Sequence, residues 1–170
     1  GLMSEQDLQG QKVVISAGGT REYFDPVRFL GNSSSGKQGI ALAEAARDRG
    51  ADVTLVCANV SLPIPAGVAE VHVETGAELH EEMSQAAVDA DVVVMAAAVA
   101  DFRPKVYEDS KIKKSEAPEE PVIELVRTTD ILAELVRHRN ATNPDQIIVG
   151  FAAETGDDKA SVGDHGRAKL

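Results

Sequence analysis

The chain has one cysteine, no tryptophan, two tyrosines and four phenylalanines among its 170 residues. Cys57 cannot close an internal disulfide, and its apolar run Val53–Cys57 suits a small buried thiol in a reducing cytoplasmic setting. No stretch approaches the 18 or more apolar residues of a membrane span, and Gly1-Leu-Met-Ser-Glu-Gln-Asp lacks the basic and apolar parts of a signal peptide. Positive charge is also scarce, with 17 Lys+Arg against 28 Asp+Glu and a net charge of −11. That balance repels a phosphate backbone and an anionic bilayer, which argues against nucleic-acid or membrane binding as the main role. An anion site in this chain must be locally basic. The three Asn-x-Ser/Thr triplets at Asn32, Asn59 and Asn140 carry no weight in a protein that is not secreted.

What is present is ordinary globular composition, 43% apolar and 26% charged, at a length suited to one domain. Residues 1–11 are polar and predict a disordered lead-in, with structure from Lys12 onward. Beyond it, apolar runs alternate with helical patterns. The predicted strands are Val13–Ala17, Val53–Cys57, Val68–Val73, Asp91–Ala97, Val122–Val126 and a central strand Gln146–Phe151. The predicted helices run from about Gly36 to Arg49, from Glu78 to Asp89, and from Asp130 to Arg139 with Thr129 as cap; Gly50 stands where a C-terminal glycine belongs. Strands separated by helices imply an α/β fold, a Rossmann-like three-layer parallel sheet with helices on both faces. The polar end, Gly156–Leu170, stops as if a helix were starting, so residues 12–170 are expected to be a nucleotide-binding domain that is incomplete at its C-terminus.

Two long connections, Gly18–Ser35 and Ala98–Pro121, break the alternation. Both follow carboxyl ends of strands, where ligands bind in open α/β sheets, and long loops of this kind are usually functional. The first holds Gly31-Asn-Ser-Ser-Ser-Gly36-Lys37-Gln38, a glycine and serine loop feeding a helix. Its free N–H groups and Lys37 make an anion cradle, or else Ser34 or Ser35 is only a helix cap; Arg21 and Arg28 nearby favour the cradle. The spacing Gly-x4-Gly-Lys starts like a P-loop, but Gln38 stands where magnesium coordination needs Ser or Thr. Gly18-Gly19-Thr20-Arg21 does not match a dinucleotide fingerprint either.

The second connection begins Ala97-Ala98-Val-Ala-Asp101-Phe102. Small residues let a ligand approach the backbone and Asp101 can accept from its hydroxyls, unless the run is plain alanine packing followed by a turn. Lys111-Ile-Lys-Lys114 reads as a lid bringing ammonium groups to phosphates, or as a solvated face. Phe151, ending the last strand, stacks a base or fills the core. The four histidines are scattered, so no metal cluster is visible, and no catalytic triad or hydrolase elbow is present.

Ala17-Gly-Gly-Thr-Arg-Glu22, Asp25-Pro-Val-Arg-Phe29, Asn32-Ser-Ser-Ser-Gly-Lys37, Ala97–Phe102, Lys111–Lys114 and Val149–Thr155 together resemble bacterial phosphopantothenoylcysteine synthetase, from about Lys12 to Leu170. The resemblance implies a ligase that joins 4'-phosphopantothenate to L-cysteine, using CTP and Mg2+ through an acyl-cytidylate, as a homodimer in the cytoplasm and commonly fused to a flavin-dependent decarboxylase. It assigns Asn32, Arg28 and Lys111 to catalysis: Asn32 to the acyl-cytidylate or its forming carbonyl, Arg28 to the loop and the acid, Lys111 to charge neutralisation. Nucleotide contacts would come from Gly18, Gly19, Ser34, Ser35, Gly36, Lys37, Ala97, Ala98, Asp101, Phe102, Lys111, Phe151 and Lys169, with no protein metal ligand. Gly19 stands where relatives often have proline. A nucleotide-binding module without chemistry and a P-loop hydrolase are the alternatives.

Overall fold

The computed structural model describes residues 5–107 and 122–151. In chain order the elements are β1 (Lys12–Gly18), β2 (Arg21–Tyr23), β3 (Phe29–Gly31), α1 (Lys37–Asp48), β4 (Asp52–Ala58), β5 (Ala69–Val73), α2 (Gly76–Ala87), β6 (Val92–Met95), β7 (Phe102–Pro104), β8 (Leu125–Arg127), α3 (Ile131–Thr142) and β9 (Ile147–Gly150). Five strands form one parallel sheet in the order β5-β4-β1-β6-β9. Two antiparallel pairs, β2 with β3 and β7 with β8, stand apart from it.

Alternation along β1 explains the three layers. Val13, Ile15 and Ala17 join Val53, Leu55, Cys57 and Val94 beneath α1, whose Ala43 and Ala46 are buried. Val14 faces the other way, with Val56, Val93 and Met95, toward Leu79 and Met83 of α2 and Ile131 and Leu135 of α3. Both faces of the sheet are thus covered, as its near-continuous apolar strands predict. Each fully buried Val, Leu or Ile here contributes roughly 1.5–3 kcal/mol by leaving water, so the centre of the sheet is a firm platform for the loops at its rim.

Local chemistry sets the helix ends. α2 opens on a capping box in which Thr75 Oγ1 accepts from the Glu78 N–H while the Glu78 carboxylate accepts from the Thr75 N–H. It therefore starts two residues before the predicted Glu78. α3 is capped by Asp130, which accepts from Ala133 N–H at 3.0 Å, and not by the expected Thr129. Gly50 takes φ +93° just past α1, as expected of a C-terminal glycine.

Other expectations change. The predicted strand Val122–Val126 shifts to Leu125–Arg127 and pairs with Phe102–Pro104, outside the main sheet. The last strand, expected to be central, is the end of the sheet among the described residues, with Ile147 and Val149 exposed. Residues 6–11 lie within the predicted disordered lead-in, yet they fold back on α1. Leu8 N–H donates to Arg49 O at 3.0 Å, Gln6 Nε2 donates to Asp48 O at 2.8 Å, and the Asp7 carboxylate pairs with Arg49. The apolar Leu8, packed on the core cluster under α1, is the reason.

Candidate functional site

The sheet has one topological switch point. From β1 the chain runs outward through β4 to β5 on one side, then returns to build β6 and β9 on the other. The carboxyl ends of β1 and β6 therefore diverge into a crevice, which is where open α/β sheets place their ligands. Both long connections leave the sheet there, and a parallel bridge between Gly19 and Ala98 ties them together.

Three glycines let the backbone crowd this point. Gly18 has φ +92°, and a Cβ on it would stand 2.0 Å from Ala58 O. A Cβ on Gly19 would meet Asn32 O at 2.6 Å. Gly36, at φ +88°, touches Gly18 N and Val60 Cγ2 at 3.3 and 2.8 Å from the position of its absent Cβ. The β2–β3 hairpin thus returns to the strand end it left, delivering exposed Asn32 beside Gly19 and the start of α1 beside Gly18. No side chain caps α1 at Gly36, although Ser35 Oγ accepts weakly from Lys37 N–H at 3.3 Å. Ser34 is half-buried, and Ser35 and Lys37 are exposed. Neither Lys37 nor Arg21 has an ion pair among the described residues; the Arg21 guanidinium lies 4.7 Å over the Phe29 ring.

The other arm is stitched to the first through backbone. Ala98 donates its N–H to Gly18 O at 2.8 Å and accepts from Thr20 N–H at 3.0 Å. Those groups, expected to face a nucleotide, hold the two loops together, so Ala98 offers a ligand the space its methyl leaves free. Ala97 N–H donates to buried Ser16 Oγ at 3.1 Å and Ala100 N–H to Thr20 Oγ1 at 2.9 Å. Asp101 is exposed and its carbonyl accepts from Thr128 N–H at 2.9 Å. Phe102, 41% exposed, lies under the Arg127 guanidinium at 5.1 Å. Phe151 follows Gly150, which is paired with Met95, so it reaches the same rim of the sheet and is 45% exposed. The structure brings Gly18, Gly19, Asn32, Gly36, Ala97 and Ala98 together, with Asp101 and Phe102 continuing from that point. Lys111 and Lys169 lie outside the described residues.

Four residues to which the sequence analysis gave no site role hold this arrangement. Asn59, a non-glycine at φ 55°, donates through Nδ2 to Gly19 O and Glu74 O, both at 2.9 Å. Thr20 is buried between the arms, as above. Glu22 is 4% exposed, accepts from Gly76 N–H at 2.9 Å and sits near Arg103 and Glu78. Its burial pushes the carboxyl above the ordinary glutamate range, against the hydrogen bonds from Gly76 and Thr20. Asp25 is fully buried in the hairpin turn. Burial alone would raise its carboxyl, but hydrogen bonds from Arg28 and from the Val27 and Arg28 N–H groups hold it below the usual range. The Asp-Pro pair at 25–26 was the available signal for Asp25, since Asp before Pro favours a turn closed by its own carboxylate.

Among the described residues no group of three or more His, Cys, Asp or Glu could hold a metal ion, and no helix is long and apolar enough to cross a membrane. A cavity of about 280 Å³ lies between α2 and α3, lined by His80, Ser84, Glu134, Arg137 and His138. It borders Gln146, ahead of β9, and so lies toward the opposite rim from the switch point.

Residues 8–170 match the family model of the DNA/pantothenate metabolism flavoprotein C-terminal domain. The coenzyme A biosynthesis bifunctional protein CoaBC of Mycobacterium tuberculosis is 55% identical over 168 residues, which is 96% of this chain and 40% of that protein. The chain thus spans about 40% of the length of such curated relatives. The crystal structure of a CoaBC C-terminal domain is 41% identical with a TM-score of 0.75, covering 96% of this chain and 72% of that one. A Cab2 mutant in complex with phosphopantothenate-cysteine shares the fold at a TM-score of 0.73 and 18% identity, over 88% of this chain and 66% of that one.

Proposed function

The chain belongs to the DNA/pantothenate metabolism flavoprotein C-terminal domain family, and on that premise we propose that it is the synthetase portion of a coenzyme A biosynthesis protein. In this reading it is a ligase condensing 4'-phosphopantothenate with L-cysteine at the expense of CTP. The observation that carries the reading is the packing of Asn32 against Gly19, with Gly36 against Gly18, at the switch point of the sheet. That packing supports the reading because it gathers a neutral amide and an uncapped helix start with Lys37 at one rim of the sheet. The Cab2 mutant of like fold is seen with phosphopantothenate-cysteine, the compound this reaction makes.

The chemistry asks for placement and charge neutralisation more than for a protein nucleophile. A carboxylate oxygen of the acid attacks the α-phosphorus of CTP, the bond to pyrophosphate breaks, and an acyl-cytidylate forms. The cysteine amine then attacks the acyl carbon, CMP leaves with the electron pair, and the amine's proton passes to solvent. In this reading Asn32 donates its amide to the acyl oxygen in both steps. Lys37, at the head of α1, adds charge to the helix dipole against the phosphates. Lys111 neutralises charge as the acyl-cytidylate forms, and Phe102 and Phe151 offer faces to base or ribose. In this reading Mg2+ accompanies the triphosphate as its counter-ion. A homodimer acting in the cytoplasm, joined to a flavin-dependent decarboxylase, completes the proposal.

Pyrophosphate release measured with each substrate omitted in turn tests it. A ligase of this kind releases pyrophosphate with CTP and phosphopantothenate, and CMP only when cysteine is added. Release without the acid points to a hydrolase, and no release under any condition to a binding module.

A further inference from the structure

Asp25 divides its two oxygens between two tasks. Oδ1 accepts from the N–H groups of Val27 and Arg28 at 2.9 and 2.7 Å and closes the turn of the β2–β3 hairpin. Oδ2 accepts from Arg28 Nε at 2.7 Å and forms an ion pair with Nη2 at 2.6 Å. The carboxylate is fully buried while the Arg28 side chain stays 45% exposed, 5.3 Å over the Phe24 ring. One edge of the guanidinium is therefore fixed from within the protein, and Nη1 has no partner among the described residues. An arginine placed only for solubility has no need of a wholly buried anchor, since surface ion pairs contribute little.

The hairpin also sets a distance. Arg28 lies at the tip end of β3 and Asn32 at its base, four residues apart; at about 3.3 Å per extended residue that is roughly 13 Å of backbone. A substrate whose reacting carboxylate sits at Asn32 and which carries a second anion at its far end fits that separation.

Resting on the ligase reading above, we propose that Asp25 is a positioning residue. It aims the Arg28 guanidinium at the phosphate of the acid substrate, the end remote from the reacting carboxylate.

Asp25→Asn separates the two tasks, because an amide oxygen still accepts from the turn N–H groups while the NH2 replacing Oδ2 cannot accept from a guanidinium. In the full-length protein, Asp25→Asn should raise KM for phosphopantothenate at least tenfold. The CTP dissociation constant should stay within twofold and the melting temperature within a few degrees. With pantothenate, which lacks the phosphate, wild type and variant should be equally poor. The double variant with Arg28→Ala should be no worse than Arg28→Ala alone. An unchanged KM for phosphopantothenate, an equal penalty with pantothenate, or additive losses in the double variant would each overturn the proposal. If the wild type turns over neither acid, the ligase reading fails, yet the clamp is still tested by the Arg28 Nε–H resonance. That proton should exchange slowly in wild type and rapidly in Asp25→Asn; rapid exchange in both would remove the clamp from the argument.

Discussion

Gly19→Ala puts the geometry of the switch point to a quantitative test. The new Cβ would lie 2.6 Å from Asn32 O and 3.3 Å from Asn32 Cβ, whereas ordinary contact begins near 3.4 Å. One partner must yield by about 0.8 Å, which is the shortfall against that contact distance. Gly19 cannot, because its N–H donates to Ala58 O at 3.0 Å, its carbonyl accepts from Asn59 Nδ2 at 2.9 Å, and its strand bridges Ala98. Asn32 sits in an exposed loop and moves instead. A displacement approaching 1 Å in a positioning group costs on the order of 10²-fold in rate. The crowding itself should cost about 1–3 kcal/mol of stability, or roughly 2–4 °C for each kcal/mol in a domain of this size. The assay is steady-state turnover with all three substrates alongside calorimetric CTP binding and a thermal melt. The expected result is a kcat reduced about a hundredfold in a folded protein that still binds CTP. A kcat within threefold of wild type would falsify the claim that Asn32 acts from its seat against Gly19.

Three further outcomes follow from the same packing. Asn32→Ala should bind CTP normally and form no product, and unchanged turnover would remove Asn32 from the chemistry. Glu22→Gln should alter stability in a pH-dependent way. Burial raises the Glu22 carboxyl above the ordinary 4.5, so its proton favours the fold below that value, and that stability is lost as pH rises through the higher folded value. The melting temperature of the variant relative to wild type should therefore increase from pH 4 to pH 7, and a flat difference would show that Glu22 is not held against its charge. Cys57 is fully buried, with its thiol pushed up to about 11 chiefly by burial. At pH 8 only about one molecule in a thousand carries the thiolate, so an aromatic disulfide reagent should label it no faster than the protein unfolds. Rapid stoichiometric labelling of the native protein would contradict that burial.

The sheet was legible because its strands announce themselves. Val13–Ala17 and Val53–Cys57 are apolar but for Ser16 and Thr54, and the observed Lys12–Gly18 and Asp52–Ala58 extend them by a residue at each end. Less was legible where adjacent residues compete. Thr129 and Asp130 both make good caps, and only the register of Ile131 and Leu135 on the core chooses Asp130. Val122–Val126 has strand composition but no second half of a buried face, so its last residues join a ribbon with Phe102–Pro104. The loop motifs did anticipate that the two connections converge, since Asn32 packs on Gly19 and Gly19 bridges Ala98. They gave little of the scaffold: the burial of Thr20 and Glu22 depends on contacts with Ala100 and Gly76, 80 and 54 residues away. No local pattern encodes such distances.

The order of strands also has a consequence for synthesis on the ribosome. Among the described strands of the sheet β1 is made first and lies in the middle, with partners that begin at Asp52 on one flank and Val92 on the other. A nascent chain that has emerged only through β5 has one side of this apolar strand unsatisfied, and slow, non-local pairing of that kind exposes sticky edges. Stability should therefore arrive late and all at once, when β6 emerges, and the earlier fragment is the species a chaperone would be expected to hold.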